Sequence, residues 1–598
     1  MMKFLLLGIL CCSFYWGCSN SVEFGEETYG QPIVVNFSEG SLFAPGGVIL
    51  EPPISDKGFV ERCTFDGSEP NAETEIFNEA KEIKWNAVVR CTKFWKDSVP
   101  SSSQVRFYFI GQRRKMPVLA LAVDPDYFEN YLSAPPCSPS PCSDAIFWED
   151  VEVPVFIEYF PEGGYSDGPA FSKNAGLKIS GGWSRNQEKK SITIVMRKQY
   201  EKGRIDYPLF ETRPENSHFK SFLLRNNGNR YVSDYFVDAM GASLLEGTGL
   251  DYQRSRLVVV FVNGSYQGIY DMCEKENEHY VENNYGINSD IVNVVKHVHN
   301  RIDTKNGSAE GYRKMLRYAV NHDFGGAHNK AYEEIGEMVD LPNYANYMAA
   351  EIYYHNGDWP NNNVRAWNAP GLPWKFMVYD LDHGFDWTNF ISDFSRNMNM
   401  IQWIMRGGAD GYPCYGKVSE NCFHSLFVSL IKNPDFKRMF LNHASVLYAR
   451  FINGEKASAA IDKMYASLDL NEVERDLMAF PRRGYTNSCG GNFDVSGSCA
   501  RQWMYQRDST VWEDFRQGLN LGEKVLVEFE PVENGTLYIE DILLPQSGLK
   551  AQFFVDNEIL IRAEASSSHE FVSWMDGSTE NPRLITPKKG MKIKALFQ

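Results

Sequence analysis

Hydrophobic and polar positions divide the chain into three zones of different period. From residue 33 to 112 the apolar runs are short and alternate: "PIVVNF", "FVERCTF", "AVVRCTKF" and "SQVRFYFIG", parted by turn clusters such as "DGSEPNAE". Period two over four to eight residues, bounded by Gly, Pro, Asn and Asp, predicts strands. The same texture returns at 524–598, where "VLVEFEPVENGTLYI" alternates around a turn and "KIKALFQ" closes the chain. Between them, residues 113–520 change period midway. Strand signals come first: "PVLALAV", "VPVFIEYF", "GLKISGG", "KSITIVM", "SFLLRNN" and "RLVVVFVNGSYQGIYDM". Helical spacing follows in "YVSDYFVDAMGASLLEG", "LPNYANYMAAEIYYHN", "CFHSLFVSLIKNPDFKRMFLNHASVLYARFI" and "ASAAIDKMYASLDL". Leu341, Tyr344, Tyr347, Met348 and Ile352 share one helical face, which predicts a core-facing stripe. The expected class is therefore multidomain α+β. A strand-rich part and a helical part form the centre, with a cleft between them, and two small all-β modules flank it.

Composition adds compartment and excludes partners. The chain has 598 residues, 43% of them hydrophobic, and a formal net charge of −17. Acidity on this scale argues against nucleic acid as a partner. Lys3 precedes the apolar run "FLLLGILCCSFYWG", which is too short to span a bilayer and fits a secretory leader over 1–17. The run ends in "YWGCSNS", similar to a bacterial lipoprotein cleavage site, with Cys18 as the lipidated residue and a polar linker over 18–32. Lipid chains at Cys18 would anchor the protein to a membrane of the bacterial cell envelope. The expected location is therefore outside the cytoplasm, as an outer-membrane or surface lipoprotein.

Eight further cysteines fall into close pairs: Cys63 with Cys91, Cys137 with Cys142, Cys414 with Cys422, and Cys489 with Cys499. Such spacing suits disulfides in an oxidising compartment, though connectivity does not follow from sequence. Cys273 is left over and reads as a small buried hydrophobe. His297 and His299 alternate on "VVKHVHN" with no third ligand at a recognisable spacing, so they read as surface histidines.

The candidate chemistry lies in two stretches. "GDWPNNNVRAW" (357–367) leaves a predicted helix and carries Asp358 and Asn363 at Asp-x4-Asn spacing. "FMVYDLDHGFDW" (376–387) is an apolar strand that ends in Asp380 and Asp382. A helix, an Asp-x4-Asn loop, a strand and an acidic strand end, in that order, are the parts of a phosphoryl-transfer centre. A loop carboxylate orients the acceptor hydroxyl, while amide and carboxylate oxygens take divalent ions. Mg²⁺ wants hard oxygen ligands, usually one or two carboxylates together with phosphate oxygens. Upstream, "GGWSRNQEKKSITIVM" (181–196) sets a Gly-Gly turn and the cations Arg185, Lys189 and Lys190 ahead of a strand. Alternation there predicts one lysine aimed into the cleft and the other at solvent.

Taken together and in order, these stretches resemble the spore-coat protein H (CotH) kinase family. The resemblance is carried by "GLKISGGWSRNQEKKSITI", "DYPLF", "FKSFLLRNNGN", "VVVFVNGSYQGIYDMCEKEN", "HNGDWPNNNVRAW" and "WKFMVYDLDHGF". It implies an atypical protein-kinase-like fold of two lobes over 113–520. It also implies transfer of the ATP γ-phosphoryl, with Mg²⁺ or Mn²⁺, to Ser or Thr of extracytoplasmic proteins. On this resemblance Asp358 would be the loop aspartate, Asn363 a metal ligand, Asp380 the leading metal carboxylate and Asp382 the second. Arg185 and Lys190, with Lys189 as the fallback, would hold phosphates. Glu274 would sit near the ribose or adenine, and Arg225 would be structural, paired with a carboxylate. The family commonly has an acidic residue where this chain reads Glu276-Asn277.

The 33–112 segment resembles the small β-sandwich at the C-termini of chitobiases and β-hexosaminidases, through "CTFDGSEPN" and "VVRCTKF". The 524–598 segment is similar to small β-repeat modules of surface proteins, with Phe571, Trp574, Ala595 and Phe597 matching their pattern. Trp574 reads as core. These modules suggest glycan contact. They also support an alternative reading, a non-catalytic surface scaffold, or glycan- or protein-binding protein, built on a kinase-like fold.

Overall fold

The computed structural model describes residues 31–53, 58–95, 99–100, 102–111, 114–138, 140–142, 145–161, 168–235, 237–385, 394–482 and 493–598. The leader and Cys18 therefore lie outside the described residues. The chain divides into two compact units. One comprises the chain up to Arg113 with Ala122–Ala134 and Phe261–Tyr266. The other comprises Arg114–Leu121, Pro135–Val260 and Gln267–Gln598.

The first unit has the strand-rich character its alternation predicts. A three-stranded sheet of Ile33–Asn36, Val48–Glu51 and Lys81–Ile83 lies beside a sheet ordered Leu42–Ala44, Gln104–Ile110, Ala87–Trp95, Phe59–Thr64. Inward residues of both, including Val35, Val48, Leu50, Val89 and Tyr108, form one core. Cys63 and Cys91 face each other on adjacent antiparallel strands and are joined.

A closed seven-stranded barrel has most of its residues in the second unit. Its order is Val153–Phe160, Phe171–Ile179, Ile192–Val195, Ser221–Arg225, Ser265–Glu274, Ser255–Val262, Val118–Ala122. These are the runs whose apolar content predicts strands, and closure leaves no unpaired edge. A short link, residues 275–277, leads from the barrel to the helix Glu278–Tyr285, capped by the Asn277 side chain. A five-stranded sheet follows, ordered Asp251–Tyr252, Lys375–Val378, Val364–Asn368, Asn293–Val298, Arg301–Asn306. One face of that sheet packs on the helices Leu341–Tyr354, His424–Leu430 and Pro434–Arg450 in a large aromatic-rich core.

Local signals explain these boundaries. Asp340 caps the Leu341–Tyr354 helix by accepting from the Asn343 N–H at 3.0 Å, and Pro342 sits in its first turn. Tyr344, Tyr347, Met348 and Ile352 are all buried, as the stripe predicts. Asn433 and Pro434 split the long helical run into two helices, with the Asn433 side chain accepting from the Asp435 and Phe436 N–H groups. The helix expected over "YVSDYFVDAMGASLLEG" is shorter, Val237–Ser243, because the Asp234 carboxylate accepts from the Val237 N–H and starts it late.

The C-terminal strands, from Lys524–Phe529 to Ala595–Phe597, have their own core with Trp574 at its centre, joined by Val446 of a helix. Cys137–Cys142 and Cys414–Cys422 are also disulfides, and Cys273 is free and buried. Cys489, expected opposite Cys499, lies outside the described residues. Of the two histidines read as surface residues, His297 needs correction, while His299 is half-buried. His297 is buried rather than at the surface, with Nε2 2.9 Å from the Asn421 carbonyl and Nδ1 3.3 Å from the Tyr312 hydroxyl. Among the described residues, no helix is long and apolar enough to cross a membrane.

Candidate active site

The Leu341–Tyr354 helix ends at His355, which takes a left-handed φ of 55°. The chain then turns into the loop that carries Asp358. Two indoles fix that loop from below. The Trp359 Nε1–H donates to the Tyr347 hydroxyl at 3.0 Å, and the Trp403 Nε1–H donates to the Trp359 carbonyl at 2.5 Å. Both rings are fully buried, so the loop stands on the helical core. Asp358 organises the rest of it. Its carbonyl accepts from the Asn362 N–H at 2.9 Å, and its Oδ2 accepts from the side-chain amides of Asn362 at 2.9 Å and Asn363 at 3.1 Å.

Asn363 and Asp380 both hold left-handed backbone, with φ of 56° and 61°. Asn and Asp tolerate this region better than other side chains, yet it still costs free energy and collects at functional sites. The Asn363 amide reaches the Asp380 carbonyl at 3.4 Å, so the loop and the strand end meet.

A buried arginine gathers the carboxylates. Arg225 ends a barrel strand, and its Nη2 lies 2.9 Å from Asp380 Oδ1, 3.0 Å from Asp238 Oδ2 and 3.8 Å from Asp382 Oδ2. Asp238 also accepts from the Leu381 N–H at 2.7 Å, which sets the backbone between the two site aspartates. Asp382 Oδ2 accepts from the Asn229 N–H at 2.8 Å. Gly228 is required beside it: a Cβ there would lie 2.2 Å from Asp382 Oδ2, and its φ of 55° disfavours a side chain.

The electrostatics separate the two aspartates. Burial works against ionising Asp380, but the charge and hydrogen bond of Arg225, with help from Lys296, hold its carboxyl below the ordinary range. Asp382 moves the other way, because burial and the Asp380 charge outweigh Arg225. Two carboxyls pushed apart in this way are typical of functional sites.

The arrangement leaves oxygens bare. Among the described residues Asn363 Oδ1 and Asp382 Oδ1 are buried with no hydrogen-bond partner, while the Asp380 side chain stays partly exposed. Buried oxygens without donors are costly unless something else satisfies them. Among the described residues no group of three or more His, Cys, Asp or Glu forms a metal cage. Mg²⁺ does not need one, since it binds through one or two carboxylates and the phosphates of its substrate. The donor set of an amide oxygen and two carboxylates fits such a cation.

The upstream cations are engaged within the protein. Lys189 and Lys190 precede the strand that starts at Ile192, so strand alternation does not apply to them, and both are buried rather than split between cleft and solvent. Lys189 pairs with Asp476 at 2.9 Å and also donates to the Ile269 carbonyl. Lys190 donates to the carbonyls of Arg185 and Gln187 and lies over the Phe147 ring. Arg185 donates to carbonyls of Gly181, Trp148, Glu149 and Ile179. Glu274 is buried against Arg254 at 3.1 Å.

Sequence reasoning passed over Asp238 and Asn229. Asp238 stands in an apolar helical run four residues after Asp234, and Asn229 in an Asn-rich turn, so neither carries a spacing that marks it.

The family model for CotH kinase protein matches residues 177–511, which include the barrel strands from Leu177 onward, the Asp358 loop and the Asp380 strand end. The chain belongs to the CotH kinase family. No curated protein matches it.

Proposed function

We propose that this protein is an extracytoplasmic, lipid-anchored kinase that transfers the γ-phosphoryl of ATP to Ser or Thr hydroxyls of proteins outside the cytoplasm. The observation that carries the reading is the meeting of Asp358, Asn363, Asp380 and Asp382, with Asn363 Oδ1 and Asp382 Oδ1 lacking a partner among the described residues. The barrel and the sheet-and-helix part correspond in this reading to the two lobes of a kinase. Asn363, Asp380 and Asp382 would hold a divalent cation, Mg²⁺ or Mn²⁺. Bound there, the ion would neutralise charge on the transferring phosphate.

Phosphoryl transfer asks the protein mainly for position and charge. Asp358 lies at the mouth of the loop, fixed by two asparagine amides, and is suited to orient an incoming hydroxyl and accept its proton. Arg225 keeps Asp380 ionised and fixed in direction, and the Asn229 N–H fixes one oxygen of Asp382 in place. Three disulfides among the described residues support the oxidising compartment that an exported chain with Cys18 at its mature start would occupy.

The test is transfer of label from ATP to a casein-like acceptor by the purified full chain with Mg²⁺ or Mn²⁺. Incorporation by the wild type that vanishes in Asp380→Ala and in Asp358→Asn is the expected result. Wild-type protein that transfers nothing under either metal overturns the reading.

A further inference from the structure

The site still needs cations for a chain of phosphates, and Arg185, Lys189 and Lys190 have their donors engaged within the protein. The barrel supplies an alternative. Cross-strand partners share a face, and Lys178, Thr193, Leu223 and Cys273 are successive partners across four strands. Arg225 stands two residues beyond Leu223 on that same face, and its guanidinium reaches Asp380. This barrel face therefore looks toward the acidic site. Lys275 stands two residues beyond Cys273, at the start of the link that leaves the barrel, and its Nζ lies 3.4 Å from Thr193 Oγ1.

The opposing wall is the five-stranded sheet. Lys296, Arg365 and Met377 are direct partners across three of its strands. Arg365 crosses to the link, donating to the Glu276 carbonyl at 2.6 Å and pairing with its carboxylate at 3.1 Å. Lys296 thus faces the same link from the sheet side.

Glu276 is satisfied by Arg365, and Asp380 by Arg225. Lys275 and Lys296 are half-buried, and among the described residues neither has a carboxylate within ion-pair distance. Burial lowers the proton affinity of both ammonium groups, against the Glu276 charge on both and the Asp380 charge on Lys296. Two sheltered ammonium groups with no carboxylate at ion-pair distance among the described residues are unfavourable unless an anion arrives.

We infer that Lys275 and Lys296, from the barrel and the sheet, are the cations that hold the phosphate chain of a nucleoside triphosphate beside Asp380. The inference rests on the reading of this site as an ATP site.

The experiment is isothermal titration of the full chain with ATP, inorganic tripolyphosphate and adenosine in Mn²⁺, for the wild type, Lys275→Met, Lys296→Met and the double variant. Deleting a charge-assisted hydrogen bond in a buried site weakens binding by roughly tenfold or more. The expected result is a weakening of that size for ATP and tripolyphosphate in each single variant, a larger one in the double variant, unchanged adenosine binding, and recovery in Lys296→Arg. Wild-type-like ATP affinity in the double variant overturns the inference and leaves the kinase reading standing. A wild type that binds neither ATP nor tripolyphosphate overturns both. A second measurement needs no variant: acetylation of native protein, read by mass spectrometry. ATP with Mn²⁺ should protect Lys275 and Lys296 more than it protects exposed Lys330, and equal acetylation of the two lysines with and without ATP refutes the assignment.

Discussion

Replacing Arg225 with methionine leaves Asp238, Asp380 and Asp382 converging on a group that no longer carries charge. The guanidinium lies 2.9 Å from Asp380 and 3.0 Å from Asp238, with Asp382 at 3.8 Å. At an effective dielectric of about 20, each of the two close pairs is a gross attraction of about 6 kcal/mol and the third about 4 kcal/mol. Desolvation of the guanidinium offsets most of that sum, and removing one partner of a buried pair leaves a net loss of about 3–5 kcal/mol. Urea unfolding of the full chain measures it, with Arg225→Lys as the companion. That variant keeps the charge but cannot fork between carboxylates, so its loss should be smaller.

The pH dependence has a definite sign. Without Arg225, burial raises the folded-state carboxyls above their unfolded value of about 3.9. The folded variant then binds more protons than its unfolded chain, so acidification favours it. The deficit relative to wild type should therefore shrink from pH 7.5 to pH 5. A variant within about 1 kcal/mol of wild type at pH 7.5, or a deficit that grows on acidification, refutes the assignment of Arg225 as the organiser of the cluster.

Three further perturbations test other parts of the site and its support. Lys189→Met breaks a fully buried pair with Asp476 and should cost about 3–5 kcal/mol, while the folded protein keeps its ATP affinity; unchanged stability with lost affinity would return Lys189 to the phosphates. Gly228→Ala drives a Cβ toward Asp382 Oδ2 at a left-handed φ, and should cost about 1–3 kcal/mol and weaken Mn²⁺-dependent ATP binding, measured by titration. Burial lowers the His297 pKa to about 4. The unfolded chain, titrating near 6.5, takes up the proton first as pH falls, so His297 costs about 2 kcal/mol of stability at pH 5. His297→Gln should make the loss between pH 7.5 and pH 5 smaller by that amount, and an unchanged loss counts against its buried neutral state.

Much of the fold was legible because it is local. Alternation marked the barrel strands, and the Asp340 cap with Pro342 marked the helix that ends at the Asp358 loop. Asp358, Asn363 and Asp380 were legible as an ordered motif, since loop and strand lie close in sequence and the chemistry restricts the residue types. The cations were harder to read. Lys189 finds its partner 287 positions away in Asp476, and no period in the sequence reports that distance. Alternation also assumed a strand through Lys189 and Lys190, whereas the strand begins at Ile192. His297 is buried because its strand packs on the helical core, which depends on a face rather than on a motif. Lys275 and Lys296 stand out only once the pairing of two different sheets shows which faces look at the same link.

The central claim is that folding joins Asn363, Asp380 and Asp382 into one cation site for a nucleotide, and Mn²⁺ binding tests it most directly. Electron paramagnetic resonance of Mn²⁺ with ATP and the full chain should show protein-bound ion in the wild type. It should revert to the signal of Mn²⁺–ATP alone in Asp380→Ala and in Asn363→Ala. Wild-type-like bound signal in both variants would contradict the account.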